Sequence, residues 1–307
     1  MKALIAVLAS LSVLVAGQTA LSWNKPGHMV SAAIAYADLN ERHPTVLAKV
    51  LDVLKQHPQA NLLWEKKLVK ADDRDLYLFM LAARWPDDVR KKYPEYDRPA
   101  WHSVKIPYRP GKEKVKIPHG DNIIRSFRKN RSIAKSAAAD EKARAVALCW
   151  MLHLTGDVHQ PLHTIKLVTK QFPEPEGDRG GSGFYVRVTP SSSTISLHKL
   201  WDRLLLQSDK FQIVRNIATK LRNRPGLKRD GLAEQLAVKS FKDWALGSHA
   251  IAVDQAYRKG TLRGGTEKSH GVVLPSDYVD KAKSIAERQI VLSGYRISDA
   301  MVELFGR

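Results

Sequence analysis

Histidine and aspartate recur four residues apart at two places in this chain. The first pair is His153 and Asp157, within Leu152-His153-Leu154-Thr155-Gly156-Asp157-Val158-His159-Gln160-Pro161-Leu162-His163. The second is His198 and Asp202, within Leu197-His198-Lys199-Leu200-Trp201-Asp202. That spacing puts both side chains on one face of a helix. The face of His153 and Asp157 also carries Val146, Cys149 and Trp150, so it is expected to point inward. A carboxylate and an imidazole on an apolar stripe are costly unless something pairs with them. A divalent metal is one such partner. A plain His–Asp salt bridge or a helix-end interaction is another, and for one isolated pair it is the stronger reading. Two pairs in one chain, with His163 approaching from beyond the helix-ending Pro161, shift the balance towards metal. Imidazole and carboxylate without thiolate suit a catalytic zinc with open positions better than a closed structural site.

Further candidates lie upstream. Trp85-Pro86-Asp87-Asp88-Val89-Arg90 places acids beside an arginine, and Trp101-His102 follows a short loop later. Residues 1–22 read as an export segment: Lys2 is a short positive start, residues 3–16 are almost unbroken apolar, and Ala20-Leu21-Ser22 offers small residues for cleavage. Cutting after Ser22 would leave Trp23 at the N-terminus. Its free amine and carbonyl could then chelate a metal together with His28; without cleavage that amine does not exist. Export places the protein outside the cytoplasm, secreted or periplasmic. A single cysteine, Cys149, allows no intrachain disulfide. Among Leu148, Trp150 and Leu152 it reads as a buried apolar residue.

The elements that must position these residues read as mostly helical. Pro26 suits the first turn of a helix, and residues 29–36 carry apolar side chains at helical spacing. Residues 45–54 and 76–83 read as further helices, Asp140 as the cap of a long helix reaching about Asp157, and residues 277–304 as a C-terminal helix despite Gly294. Polar connections are expected at 98–122, 171–193 and 222–230. The alternation at 185–188, a serine-rich turn and residues 194–197 suggest a small β-hairpin. No repeat or clean linker is evident, so residues 23–307 read as one domain.

The composition is that of a globular protein, 44% hydrophobic and 26% charged over 307 residues, which excludes a disordered polyelectrolyte and a polytopic membrane protein. The formal charge of +19 favours polyanionic partners: nucleic acid, phospholipid surfaces or acidic polysaccharide. The basic run Lys220, Arg222, Arg224, Lys228 and Arg229 reads either as a phosphate-tracking strip or as a solvated loop.

The chain resembles the S1/P1 nuclease family. The resemblance is carried, in order, by Trp23-Asn24-Lys25-Pro26-Gly27-His28, Trp85-Pro86-Asp87 with Arg90, Trp101-His102, the string from Gly156 to His163, Gly177-Asp178-Arg179-Gly180-Gly181, and Leu197-His198-Lys199-Leu200-Trp201-Asp202. Weaker echoes lie at Trp244-Ala245 with Ser248 and at Gly294-Tyr295-Arg296. The resemblance implies a mainly α, single-domain, phospholipase C/P1 nuclease-like fold, and a secreted endonuclease with three zinc ions. It implies cleavage of single-stranded DNA and RNA to 5′-phosphate products, possible removal of 3′-phosphates, and a monomer. Carried onto matching positions, one zinc takes Asp87, His102, His153 and Asp157, and a second takes His163, His198 and Asp202. The third takes the Trp23 amine and carbonyl, His28 and Asp87, so that Asp87 bridges two metals and acts on the attacking water. Metal-bridged hydroxide is the expected nucleophile, and Arg90 stabilises charge on the phosphoryl oxygens. His159 lies inside the motif and reads as a satisfied buried histidine.

Three positions depart from the family. Where members often carry an aromatic after the His102 position and an acid three residues after it, this chain has Ser103 and Lys105. After the paired glycines it has Ser182 in place of the usual asparagine. The resemblance assigns these positions to the pocket that holds the nucleobase, so the stacking face is lost and an acceptor becomes a cation. A zinc-dependent phospholipase C and a non-catalytic basic nucleic-acid-binding protein are the competing readings.

Overall fold

The computed structural model describes residues 23–112 and 115–306; the expected export segment, residues 1–22, lies outside the described residues. In chain order the helices are α1 (Lys25–Arg42), α2 (Pro44–Lys55), α3 (Ala60–Leu63), α4 (Glu65–Leu68), α5 (Arg74–Val89) and α6 (Ile123–Lys135). They continue with α7 (Glu141–Asp157), α8 (Leu197–Asp202), α9 (Phe211–Arg222), α10 (Ala233–Ala237), α11 (Phe241–Ile251) and α12 (Tyr278–Phe305). The architecture is mainly α, as the sequence suggests. No described helix is long and apolar enough to cross a membrane.

Local chemistry explains the boundaries that matter for the site. Asn24 caps α1, its Oδ1 accepting from Gly27 N–H at 3.1 Å, and Pro26 occupies the first turn where its missing N–H costs nothing. Asp73 caps α5 through Leu76 N–H, and Asp140 caps α7 through Ala143 N–H, both at 3.0 Å. From Ala147 to Asp157, α7 is buried on every side. It packs against α5 and α6, while α1 packs against α5, α9 and α12. Every polar side chain on this half of α7 is therefore surrounded by other helices.

Three features differ from the sequence reading. Helix α5 does not stop near Ala83 but runs through Pro86 to Val89, so Asp87 sits in a last helical turn and not in a loop. Helices α6, α9 and α11 are not among the expected ones; in α6 and α9 the apolar positions are interrupted by cations. The expected hairpin is present, β3 (Tyr185–Arg187) pairing antiparallel with β4 (Ile195–Ser196), but β3 also pairs in parallel with β5 (Val272–Val273). A further parallel pair joins β1 (Ile106–Tyr108) to β2 (Ile165–Leu167). It ties the segment after His102 to the segment after His163.

Gly294 has a packing reason. A Cβ at this position of α12 would lie 2.7 Å from Ile34 Cγ2 and 2.9 Å from Ser31 O on α1. Glycine lets the first and last helices approach backbone to backbone. Gly294→Ala is expected to cost about 1–3 kcal/mol through overpacking, read as a lower urea midpoint.

His57, after α2, is 3% exposed and lies between Trp64 and Trp85, with ring centroids 4.8 and 4.5 Å away. Its Nδ1 accepts from Gln59 N–H at 3.1 Å, so the proton resides on Nε2. Burial pushes its pKa from 6.5 down to about 3. The folded value lies below the unfolded one, so the unfolded chain takes up the proton first as pH falls. Stability is complete above about pH 6.5 and is lost towards pH 3, at about 1.4 kcal/mol per pH unit. His57→Phe keeps a ring between the tryptophans but cannot titrate. Unfolding free energies between pH 7 and 4.5 are expected to fall less steeply in this variant than in the parent.

Candidate metal centre

Three groups of buried histidine and aspartate side chains could each hold a metal ion: His28, His153 and Asp157; Asp87, His102 and His153; and His163, His198 and Asp202. Within each group the ligand atoms lie within 4.8 Å of one another. Each of the eight side chains is at most 6% exposed. They come from α1, α5, the short turn Pro99–His102, α7, the turn Pro161–His163, and α8.

The tightest arrangement is a triangle of donor atoms. His102 Nδ1 is 3.0 Å from Asp157 Oδ2 and 3.0 Å from His153 Nε2, and the third side, His153 Nε2 to Asp157 Oδ2, is 3.2 Å. Tetrahedral zinc with bonds of about 2.0–2.1 Å places its ligand atoms about 3.3 Å apart. The triangle is close to one face of such a tetrahedron. Asp87 Oδ1 stands 3.9 Å from His153 Nε2. Both Asp87 carboxylate oxygens are buried and make no hydrogen bond among the described residues. A buried carboxylate in that condition fits a cation.

Backbone carbonyls aim the imidazoles. His153 Nδ1–H donates to Ala83 O at 2.9 Å, His163 Nδ1–H to His102 O at 2.6 Å, and His198 Nδ1–H to Gly180 O at 2.6 Å. A carbonyl only accepts, so each ring carries its proton on Nδ1 and keeps the Nε2 lone pair for a ligand. The Gly180 carbonyl is itself held in place. Asp178 accepts from Leu167 and Gly180 N–H through Oδ1, from Gly181 N–H through Oδ2, and from the Tyr257 hydroxyl. Arg179, Gly180 and Gly181 take positive φ in this tight loop. A Cβ on Gly180 would meet Leu162 O and Lys105 Nζ at 2.6 Å, so only glycine fits there.

His28 enters from α1. Its ring stacks on His153 with centroids 3.8 Å apart, and its Nε2 lies 3.2 Å from Asp157 Oδ1. Asp157 therefore faces His28 with one oxygen and His102 with the other. The bridging carboxylate expected at Asp87 is Asp157 by this geometry, because α7 sits between α1 and the His102 turn. Gly156 makes the approach possible: a Cβ there would be 2.7 Å from His28 Nδ1. Trp23 is fully buried, and the neighbouring Asn24 N–H reaches Asp202 O at 3.4 Å, so this segment lies beside the third group.

The electrostatics are unbalanced in a way a cation would correct. Burial raises Asp157, but His153, His163 and His102 outweigh it and hold its pKa well below the usual carboxylate range. Asp202 differs, although His198 Nε2 lies 3.8 Å from its Oδ2. Burial, with Asp157 and Asp87 nearby, pushes it well above that range despite a 2.7 Å hydrogen bond from Gln160 Nε2. Burial pushes the His163 imidazole down to about 4, leaving it neutral and able to ligate. Trp150 closes one side, its ring 5.4 Å from His102 and 6.1 Å from His153.

Of the remaining expected residues, Arg90 Nη1 is 3.7 Å from Asp87 Oδ1. Asp88, next in sequence, is turned away and engaged by Arg84 and Lys25. Lys105 Nζ lies 3.5 Å from Leu162 O, its pKa lowered by burial to about 8. Ser182 Oγ is buried without a hydrogen bond among the described residues, and Ser103 accepts from Ile123 N–H through its carbonyl. His159 is satisfied, donating to Thr155 O and accepting from Arg296, both at 2.6 Å. Sequence reasoning gave Gln160 and Asp178 no role. Both lie inside conspicuous strings, but an amide bracing a carboxylate and a loop-organising acid act through tertiary contacts that spacing does not display.

The chain is similar to known nucleases. The S1/P1 Nuclease family model matches residues 23–306. Endonuclease 4 of Arabidopsis thaliana is 24% identical over 312 residues, covering 93% of this chain and 90% of its own. Nuclease S1 of Aspergillus oryzae is 24% identical over 165 residues, about half of each chain (50% and 52%). The chain belongs to the S1/P1 nuclease family and is a hydrolytic phosphodiesterase.

Proposed function

We propose that this protein is an exported zinc endonuclease that cleaves single-stranded DNA and RNA to 5′-phosphate products and also removes 3′-phosphates from nucleotides. The observation that carries the metal reading is the His102, His153 and Asp157 triangle, whose edges of 3.0–3.2 Å suit one small tetrahedral cation. Three ions are proposed. Asp87, His102, His153 and Asp157 hold one, and His163, His198 and Asp202 hold the second. His28 and Asp157 hold the third, together with the amine and carbonyl of Trp23 once residues 1–22 are removed. Zinc at such sites supplies Lewis acidity to phosphoryl oxygens and lowers the pKa of water.

The chain's own residues do the rest. Arg90 presents guanidinium N–H groups beside Asp87 and stabilises negative charge on the equatorial phosphoryl oxygens. Asp87, with both oxygens free of hydrogen bonds among the described residues, orients the attacking water. Lys105 and Ser182 are assigned to the substrate pocket as a buried cation and a buried hydroxyl without a hydrogen bond among the described residues, and Ser103 brings no stacking ring there. Binding that relies on Lys105 favours phosphate over base, so weak base preference is expected. A monomer is proposed, since no second copy is needed to complete the three groups.

The direct test is protein beginning at Trp23, loaded with zinc and given single-stranded DNA, RNA, duplex DNA and phosphatidylcholine. Chelator-sensitive release of 5′-phosphate nucleotides from single strands is the expected result. Lipid hydrolysis without nucleic-acid cleavage would overturn the proposal. Arg90→Met is expected to lower kcat by about 100- to 1,000-fold with folding and zinc content retained. Zinc is expected to raise the melting temperature of chelated protein, because metal-binding free energy adds to folding free energy. Gly156→Ala, which pushes on the His28 ring, is expected to reduce that rise and the zinc content measured by mass spectrometry.

A further inference from the structure

Two basic segments of this protein behave differently. In the basic run at 220–229 three arginines are paired within the fold: Arg222 with Glu41, Arg224 with Glu287, and Arg229 with Asp38 and Asp299. Three of the five cations of that run are therefore part of the protein's own packing, while no ion pair involves Lys220 or Lys228 among the described residues. Helix α6 keeps more of its charge. Its 13 residues, Ile-Ile-Arg-Ser-Phe-Arg-Lys-Asn-Arg-Ser-Ile-Ala-Lys, contain no acid. Arg131 pairs with Glu303, but no ion pair involves Arg125, Arg128, Lys129 or Lys135 among the described residues. Ile123, Phe127, Asn130 and Ala134 face the core, which leaves those four cations on the opposite side.

The position of this face matters as much as its charge. The first N–H of α6, on Ile123, donates to Ser103 O, the residue directly after His102. Lys129 Nζ lies 5.4 Å from the ring of Trp101, the residue directly before His102. One margin of the basic face therefore adjoins the metal centre. The other margin opens into a cavity of about 850 Å³ between α6, α11 and the end of α12, lined by Phe127, Phe241, Arg128, Arg131 and Lys242 among others. The acids at its rim, Asp299 and Glu303, are taken up by Lys239 with Arg229 and by Arg131.

We propose that the outer face of α6 is a binding track for the phosphodiester backbone of the nucleic-acid strand, leading from the metal centre at Trp101-His102 to the cavity beside Lys242. The track rests on the nuclease reading and extends it. It gives long strands an affinity that a dinucleotide, confined to the metal centre, does not share. Charge complementarity and continuity with the metal centre select a nucleic-acid strand as the occupant. At about 1.5 Å per residue the helix is about 20 Å long, enough to meet several successive phosphates.

The test uses zinc-loaded protein, a phosphorothioate single-stranded oligonucleotide for binding by fluorescence anisotropy, and an ordinary dinucleotide for turnover. In the triple variant R125Q/R128Q/K135Q, three phosphate contacts are removed. At about 0.7 per contact for single strands, the slope of log affinity against log salt is expected to flatten by about 2. Dinucleotide hydrolysis is expected to stay unchanged. The variant K210Q/R215Q/K220Q, which removes the same charge around α9, a helix that packs on α1 and α12 while α6 packs on the His102 turn, is expected to keep the parental slope. Arg128→Gln alone, expected to flatten the slope by about 0.7, serves if the triple variant does not fold. An unchanged slope in the α6 variants would overturn the track, as would an equal loss in the α9 variant. Loss of binding to anionic vesicles with oligonucleotide binding retained would overturn it in favour of a lipid surface. If the parent protein cleaves the dinucleotide while the α6 variants bind like the parent, the track fails alone. If the parent neither cleaves nor binds, the nuclease reading fails and takes the track with it.

Discussion

Polar groups with too few protein partners, held in a dry interior, set the terms for this structure. His28, Asp87, His102, His153 and Asp157 are buried against α7 and the edge of Trp150. Asp87 makes no hydrogen bond through either oxygen among the described residues. A protein assembled for stability alone would place hydrocarbon there, since buried charges without compensation cost several kcal/mol. The helices around α7 are arranged to keep these groups together and dry. Gly156 and Gly294 serve that arrangement by letting α1 lie close to α7 on one side and α12 on the other.

Orientation is supplied by backbone. Three histidines are aimed by carbonyls that belong to different elements: Ala83 in α5, His102 in its short turn and Gly180 in the loop braced by Asp178. A carbonyl cannot rotate away as a side chain can, so each imidazole inherits the rigidity of the fold. The same economy applies to Asp157, whose two oxygens face His28 and His102 and thereby couple the first two groups. The third group, with His163, His198 and Asp202, is joined to them through β1 and β2 and through the His102 carbonyl that His163 grips.

Much of this was legible in the sequence because helical spacing is local. His153 with Asp157, and His198 with Asp202, follow from the four-residue repeat, and Pro26 and Asp140 announce their helices. What was not legible depends on how helices meet. Asp87 and Asp157 are equally acidic in the sequence, and only the position of α7 between α1 and the His102 turn makes Asp157 the shared carboxylate. The continuation of α5 through Pro86 was hidden because proline usually ends a helix. Helix α6 was hidden because four of its core positions, Ile123, Phe127, Asn130 and Ala134, are separated by a dense set of cations. The neutral or free state of each arginine is likewise invisible in a chain, since Arg224 and Arg128 differ only in whether a distant glutamate reaches them.

The contact between α1 and α12 across Gly294 also bears on when activity can arise. The residue that starts the metal centre, His28, is on the first described helix, and the helix that holds α1 in place is the last one. Neither end of the chain can complete the centre without the other. A growing polypeptide that has not yet released its C-terminal helix has α1 without its largest packing partner, and the His28 ring has no fixed place over His153. The His28 part of the centre is thus expected to take its final place only once the last helix has joined the first.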